Sequence, residues 1–215
     1  LTQLRQLSLQ QISSKQMSLN LQTNPINNQS SQEEKIRLFR SLFKGREDVF
    51  PRRFENSKTG KSGYAPVCRN EWQAGICQKP KIACQECNFR AFVPISDEII
   101  RYHLIGKDPQ EHAAKNYTIG VYPLLANETC WFLVVDFDKS TWAEDARAFV
   151  ETCASFQVPA YLERSRSGNG GHVWIFFETP VHAVLARKLG SLLLTNTMNR
   201  RPEIGMDSYD RLFPS

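Results

Sequence analysis

From Glu33 onward, apolar residues fall at Ile36, Leu38, Phe39, Leu42 and Phe43, with Gly45 just beyond them. This spacing predicts a short amphipathic helix. Residues 116–137 read as a β-hairpin. Tyr117 to Leu124 would be one strand, Ala126-Asn127-Glu128-Thr129 the turn, and Trp131-Phe132-Leu133-Val134-Val135 a buried strand. Thr141-Trp142-Ala143-Glu144 has the spacing of a capping box, so a helix is expected from there to about Phe156. A further strand is expected at Ala160–Glu163, followed by a polar glycine-rich loop and a strand at Val173–Phe177. Pro180 would then open a second helix reaching about Met198. The expected order β-β-α-β-β-α is an α+β architecture, a sheet with covering helices.

The first 32 residues break this patterning. Eight of them are Gln, none is aromatic, and Leu4 and Leu7 do not continue into a heptad, so residues 1–32 read as a low-complexity linker. Over the whole chain of 215 residues, 41% are hydrophobic and 23% charged, an ordinary globular balance that excludes a fibrous or wholly disordered chain. No apolar run approaches the roughly 18 residues of a membrane span. Nothing secretory is visible, and a cytoplasmic setting is expected. A chain that opens at Leu1 and stops at Ser215 reads as a fragment.

Charge separates the remainder. Residues 33–107 carry 15 Lys and Arg against nine Asp and Glu, while residues 108–215 carry ten against 13. A basic front and an acidic back suit a chain that grips a polyanion with one part and binds cations with the other. The basic stretch Pro51 to Tyr64 contains Gly60-Lys61-Ser62, but Glu55 stands where a phosphate loop needs its first glycine, so a P-loop is rejected.

Three clusters could carry chemistry. Cys68, Cys77, Cys84 and Cys87 are spaced C-x8-C-x6-C-x2-C, a set able to hold one structural Zn²⁺ in a loop with few apolar residues. Two disulfides or unrelated buried cysteines are the alternative, and His103 could replace one thiol. Arg69, Lys79, Lys81 and Arg90 would make this module a nucleic-acid contact. Asp136 and Asp138 flank Phe137 at the end of the buried strand, where residues two apart share a face, and Mg²⁺ or Mn²⁺ would compensate the paired carboxylates. The bland alternative is a strand end entering solvent with Lys139 pairing one acid. Finally, Arg164-Ser165-Arg166-Ser167-Gly168-Asn169-Gly170-Gly171-His172 joins two strands with glycines and donors suited to a triphosphate. An ordinary hairpin loop is the alternative there. Asp207 or Asp210 would supply the third carboxylate that two metals need.

In this order the motifs resemble the catalytic core of the archaeo-eukaryotic primase superfamily, most closely the primases of TOTE conflict systems and CRISPR-associated primase-polymerases. The likeness is carried by YAPVCRNEWQAGIC, IGVYPLL, CWFLVVDFD, ERSRSGNGGHVWIFF and SYDRLFP. It implies an RRM-like sheet with covering helices and an inserted zinc knuckle at residues 68–87. It also implies a basic N-terminal part at 33–115 and a catalytic core at 116–215, truncated at its C-terminus. The implied activity is template-directed nucleotidyl transfer from an NTP or dNTP to a 3′-hydroxyl, including primer synthesis de novo. Asp136, Asp138 and Asp210 would hold two Mg²⁺ or Mn²⁺ ions, with Asp207 the alternative to Asp210. Arg164, Arg166, Ser167, Gly168, Asn169 and His172 would bind the nucleotide. The implied partners are a single-stranded DNA template, a primer strand, and fused or associated helicase, nuclease or CRISPR adaptation components. A metal-dependent nuclease and a non-catalytic zinc-finger binder are the competing readings.

Overall fold

The computed structural model describes residues 25–56, 58–107, 117–201 and 211–214. The chain divides between Lys35 and Ile36 into two compact units. Before that division, Asn27 Oδ1 accepts the Gln29 amide at 2.8 Å, forming an Asx turn. Helix α1 (Gln32–Leu42) opens on a reciprocal cap. Glu34 N–H donates to Ser31 Oγ at 3.2 Å, and Ser31 N–H donates to Glu34 Oε2 at 2.8 Å.

From Ile36 onward a first core forms from Ile36, Phe50, Ile100, Tyr117 and Ile119. Around it lie the antiparallel strands β1 (Pro51–Glu55) and β2 (Ser62–Pro66) and helix α2 (Asp97–Ile105). Ser96 caps α2 by accepting the Ile99 amide at 3.3 Å, and Gly106 ends it in the left-handed conformation. The basic stretch expected as a flexible contact is thus a strand pair. Gly60 and Lys61 lie in the connection between the strands, and Ser62 starts β2. No helix follows, as a phosphate loop would require.

Residues 117–124 depart from the expected hairpin. They run beside β1, with Arg53 N–H donating to the Thr118 carbonyl and Gly120 N–H to that of Pro51, both at 2.8 Å. Only Ile119 forms an isolated bridge, to Arg52. Alternating Tyr117 and Ile119 do have a strand's pattern, but they bury into the first core rather than against the next strand. The turn itself lies where expected, closed by Glu128 N–H donating to the Leu125 carbonyl.

The second core belongs to a four-stranded antiparallel sheet. Its elements follow as β3 (Thr129–Phe137), α3 (Trp142–Ser155), β4 (Tyr161–Arg164), β5 (Gly171–His182), α4 (Ala183–Arg200) and β6 (Arg211–Phe213). The strand order is β4-β5-β3-β6. This is β-α-β-β-α-β, a split β-α-β arrangement, rather than β-β-α-β-β-α. Pro180 lies inside β5, in the stretch where pairing with β3 slips between Phe176 and Val181, and α4 begins three residues later. There the missing proline N–H costs no ladder bond.

Period-2 alternation gives the sheet two unlike faces. Leu133, Val135, Phe137, Val173 and Ile175 pack against Ala146, Phe149 and Cys153 of α3 and Leu193 and Leu194 of α4. Burial in this core pushes the Cys153 thiol up to about 11. A Cβ on Gly190 would lie 2.6 Å from Leu212 and 3.2 Å from Leu133, so α4 crosses β3 and β6 at close range. The capping box expected at α3 does not form. Thr141 Oγ1 instead donates to Asp145 Oδ2 at 2.7 Å, and that buried carboxylate lies 3.2 Å from Arg201. Among the described residues, no helix is long and apolar enough to cross a membrane.

Candidate active site

The helix-free face of the sheet carries the candidate chemistry. Strand register aligns Glu163 of β4 with His172 of β5, His172 with Asp136 of β3, and Asp136 with Arg211 of β6. A row of alternating charge therefore crosses all the strands: Glu163, His172, Asp136, Arg211. In the next row, Leu162, Val173, Val135 and Leu212, Val173 and Val135 are buried in the second core with Leu212 packed against it, while Leu162 on the edge strand is exposed. Acidic and basic groups fall on the helix-free side because the apolar set already occupies the other.

His172 is the hub. Its Nε2 lies 3.5 Å from Asp136 Oδ1, and its Nδ1 lies 3.3 Å from Glu163 Oε2. The Glu163 carboxylate raises the His172 pKa above its ordinary value against partial burial, and Asp136 adds to the effect. Reciprocally, the hydrogen bond from His172 holds Glu163 below the usual carboxylate range. Trp174 Nε1 donates to the same Glu163 oxygen at 2.7 Å.

The row is reachable from solvent: the side chains of Asp136, His172 and Glu163 are 24%, 31% and 52% exposed. Further along the same face, aromatic residues close it. Phe43, the residue directly after α1, meets Trp174 at 5.0 Å and Phe176 at 6.0 Å between ring centroids, and Trp174 and Phe176 lie parallel. The charged end is open and the aromatic end is covered.

Asp138 follows directly after β3, and its carboxylate lies 3.6 Å from Lys139 Nζ. This exposed contact is weak and leaves the carboxylate accessible. The β4–β5 loop reaches the same place. A Cβ on Gly170 would lie 2.8 Å from the Phe137 carbonyl oxygen and 3.4 Å from Asp138 Cα, so only glycine lets the loop approach the second acid this closely. Within the loop, Gly168 N–H donates to the Ser165 carbonyl, Asn169 N–H to Ser167 Oγ at 3.2 Å, and Arg164 Nε to the Gly168 carbonyl at 3.1 Å. Arg166, Ser167 and Asn169 are exposed at its tip, whereas Arg164 is folded back along it. Asp207 and Asp210 lie outside the described residues. Arg211, the residue after Asp210 in the chain, pairs with Asp136.

The family model for the archaeo-eukaryotic primase domain of TOTE conflict systems matches residues 34–215. The chain belongs to this family. A comparison with curated proteins gives no match. For a primase domain, a nucleotidyltransferase type of activity follows.

The thiols of this primase domain form a separate feature. Cys68 and Phe92 are bridged, closing a loop of turns whose cavity is lined by Cys68, Cys77, Cys84 and Cys87 together with Ile76 and Ile82. Cys68 Sγ accepts the Ala91 amide at 3.3 Å, the hydrogen bond a thiolate ligand would use. Yet among the described residues no three His, Cys, Asp or Glu side chains stand close enough to hold a metal, so the expected zinc knuckle is not assembled as a ligand set. His103 is no substitute ligand. It packs on Phe39 and accepts the Ile119 amide at its Nδ1, beside the first core. Glu163 and Trp174 were not singled out from sequence. The signal was nonetheless present, since a hairpin closing Arg164 on Gly171 must pair Glu163 with His172.

Proposed function

We propose that this primase domain is a primase-polymerase that transfers a nucleotide from an NTP or dNTP to a 3′-hydroxyl under template direction, including synthesis of the first primer bond. The observation that carries the reading is the pairing of His172 with Asp136, Nε2 3.5 Å from Oδ1. A donor suited to a triphosphate thus stands beside an acid suited to the metal that the same triphosphate requires.

In this reading Asp136, Asp138 and Asp210 hold two Mg²⁺ or Mn²⁺ ions; hard carboxylate oxygens at an accessible strand end are the donor set such ions take. When bound, the ions supply activation of the attacking hydroxyl and neutralisation of the leaving pyrophosphate. The chain's own part is positioning. His172 Nε2 directs a donor toward the phosphates. Ser167, Asn169 and Arg166 offer hydroxyl, amide and guanidinium donors from the loop tip, and Gly168 gives that loop its turn at φ 79°. Arg164 contributes by holding the Gly168 carbonyl and so the loop's shape. The four thiols line one cavity, and to hold one structural Zn²⁺ they would have to draw closer than they stand here; the loop, with Arg69, Lys81 and Arg90, would then contact the template or the initiating nucleotide. Single-stranded DNA and a primer strand are the proposed partners, beside associated helicase, nuclease or CRISPR adaptation components.

The test is primer synthesis on an unprimed single-stranded template with labelled nucleotides and Mn²⁺, comparing wild type with Asp136→Ala/Asp138→Ala. Products from wild type alone are expected. Shortening of the template without nucleotides would identify a nuclease instead.

A further inference from the structure

We propose that the ring of Tyr161 is the surface on which the base of the incoming nucleotide stacks, so that β4 holds the base while the β4–β5 loop and His172 hold the phosphates. The inference rests on the proposed reading of that loop and His172 as the triphosphate end of the site.

Strand register fixes where Tyr161 stands. It is aligned with Trp174 of β5, and Trp174 with Val134 of β3, so it lies one row from Glu163, His172 and Asp136 on the helix-free face. Its ring centroid is 6.0 Å from that of Phe176 on the same side. The neighbouring rings there, Phe43, Phe132, Trp174 and Phe176, cover one another, and none of them is exposed. Tyr161 is 60% exposed, on the edge strand at the open side of the sheet, and is a member of neither core. Tyr161 and Glu163 are two residues apart on β4, a rise of about 7 Å. Ser167 and Asn169 lie on the far side of Glu163, in the loop that follows β4. Along the strand the order is therefore loop donors, charged row, exposed ring. A nucleotide presents phosphates, sugar and base in the same order. With its phosphates at the loop and His172, its base reaches back along β4, and the accessible flat surface it meets is Tyr161, because Phe43 covers Trp174. A ring also suits template direction. Such an enzyme has to accept each base in turn, and a flat ring stacks on all of them because every base has a π-face. A side chain that hydrogen-bonded one base edge would reject the others.

Calorimetric binding to the 215-residue chain with Mn²⁺ separates the two ends of the site. ATP and CTP carry both base and phosphates, whereas inorganic tripolyphosphate carries the phosphates alone. Tyr161→Ala should weaken ATP and CTP by about tenfold, the order that a lost stacking ring costs, and leave tripolyphosphate unchanged. Tyr161→Phe keeps the ring and should bind all three as wild type does. Tyr161→Leu still covers Phe176 but has no flat face, so it should behave like Tyr161→Ala and replaces it if the alanine variant melts early. Unchanged ATP and CTP affinity in the folded variant overturns the inference. An equal loss for ATP and tripolyphosphate overturns it too, since Tyr161 would then act on the phosphates rather than the base. Tripolyphosphate bound equally by wild type and His172→Ala would instead overturn the triphosphate reading, whatever Tyr161 shows, so the two failures are distinguishable. A wild type that binds neither ATP nor tripolyphosphate overturns both.

Discussion

Gly170→Ala is the most exacting single change for this site, because it tests the approach of the β4–β5 loop to the acids directly. The new methyl group would meet the Phe137 carbonyl oxygen at 2.8 Å, where ordinary contact begins at 3.4 Å, so the chain must open by 0.6 Å, the difference of the two. The obstructing atoms are backbone at the end of β3, which cannot rotate aside as a side chain would. Overpacking of this kind costs about 1–3 kcal/mol. The narrower unfolded ensemble of alanine returns about 0.4–1 kcal/mol, leaving a net loss of about 0–2.6 kcal/mol, centred near 1.3 kcal/mol. At the centre of that range Tm falls by roughly 3–5 °C for a unit of this size. The useful control is Gly60→Ala, at φ 68° with no atom within 4 Å of its Cβ. It carries only the left-handed backbone penalty of about 1 kcal/mol, far from the acids in sequence. Both variants should melt early in a calorimetric scan. Only Gly170→Ala should also lose Mn²⁺ affinity, by about tenfold in an EPR titration, since it displaces the chain carrying Asp138. Equal Tm for Gly170→Ala and wild type would refute the close approach. Equal Mn²⁺ affinity would refute the idea that the loop sets the position of the second acid.

Other expectations concern the rest of the molecule. Phe149→Ala empties the centre of the second core, where Phe149 is fully buried, and should cost about 3–5 kcal/mol in chemical denaturation. Zinc analysis of the purified protein should give one ion per chain, and Cys84→Ser should reduce it; a metal-free wild type would remove the knuckle. Burial lowers the His103 pKa. Above about pH 6.5 the ring is neutral in both states and its contribution is flat, but as pH falls through that value only the unfolded chain takes up the proton. The stability advantage of wild type over His103→Gln should therefore shrink from pH 7.5 to pH 5.5 in urea melts.

Much of the second core was legible because its residues repeat at the right period. The Leu133, Val135 and Phe137 alternation and the Ala146, Phe149, Cys153 spacing each point to one buried face. What escaped depended on partners. Tyr117 and Ile119 carry a strand's pattern, but which surface would receive them is a tertiary choice. Strand β6 spans only Arg211–Phe213, too short for any period to register. Pro180 looked like a helix start because a proline's φ suits the first helical turn and an irregular strand stretch alike. Among the site residues, Asp136 and His172 stood out through their motifs. Glu163 became visible only once β4 and β5 were paired.

The alternation that separates the charged row from the core also constrains how the chain can change length. Arg166, Ser167 and Asn169 are exposed at the loop tip, where an added residue would move the proposed nucleotide donors but would not exchange the two faces of the sheet. Within β5 the situation differs, since inserting one residue between Gly171 and Trp174 would exchange His172 with Val173 and put an imidazole into the helix-covered core. Length variation among relatives should accordingly fall in the connections rather than in the strands. Inside the strand it should occur only in even steps, so that parity rather than side-chain identity becomes the mark of an intact site.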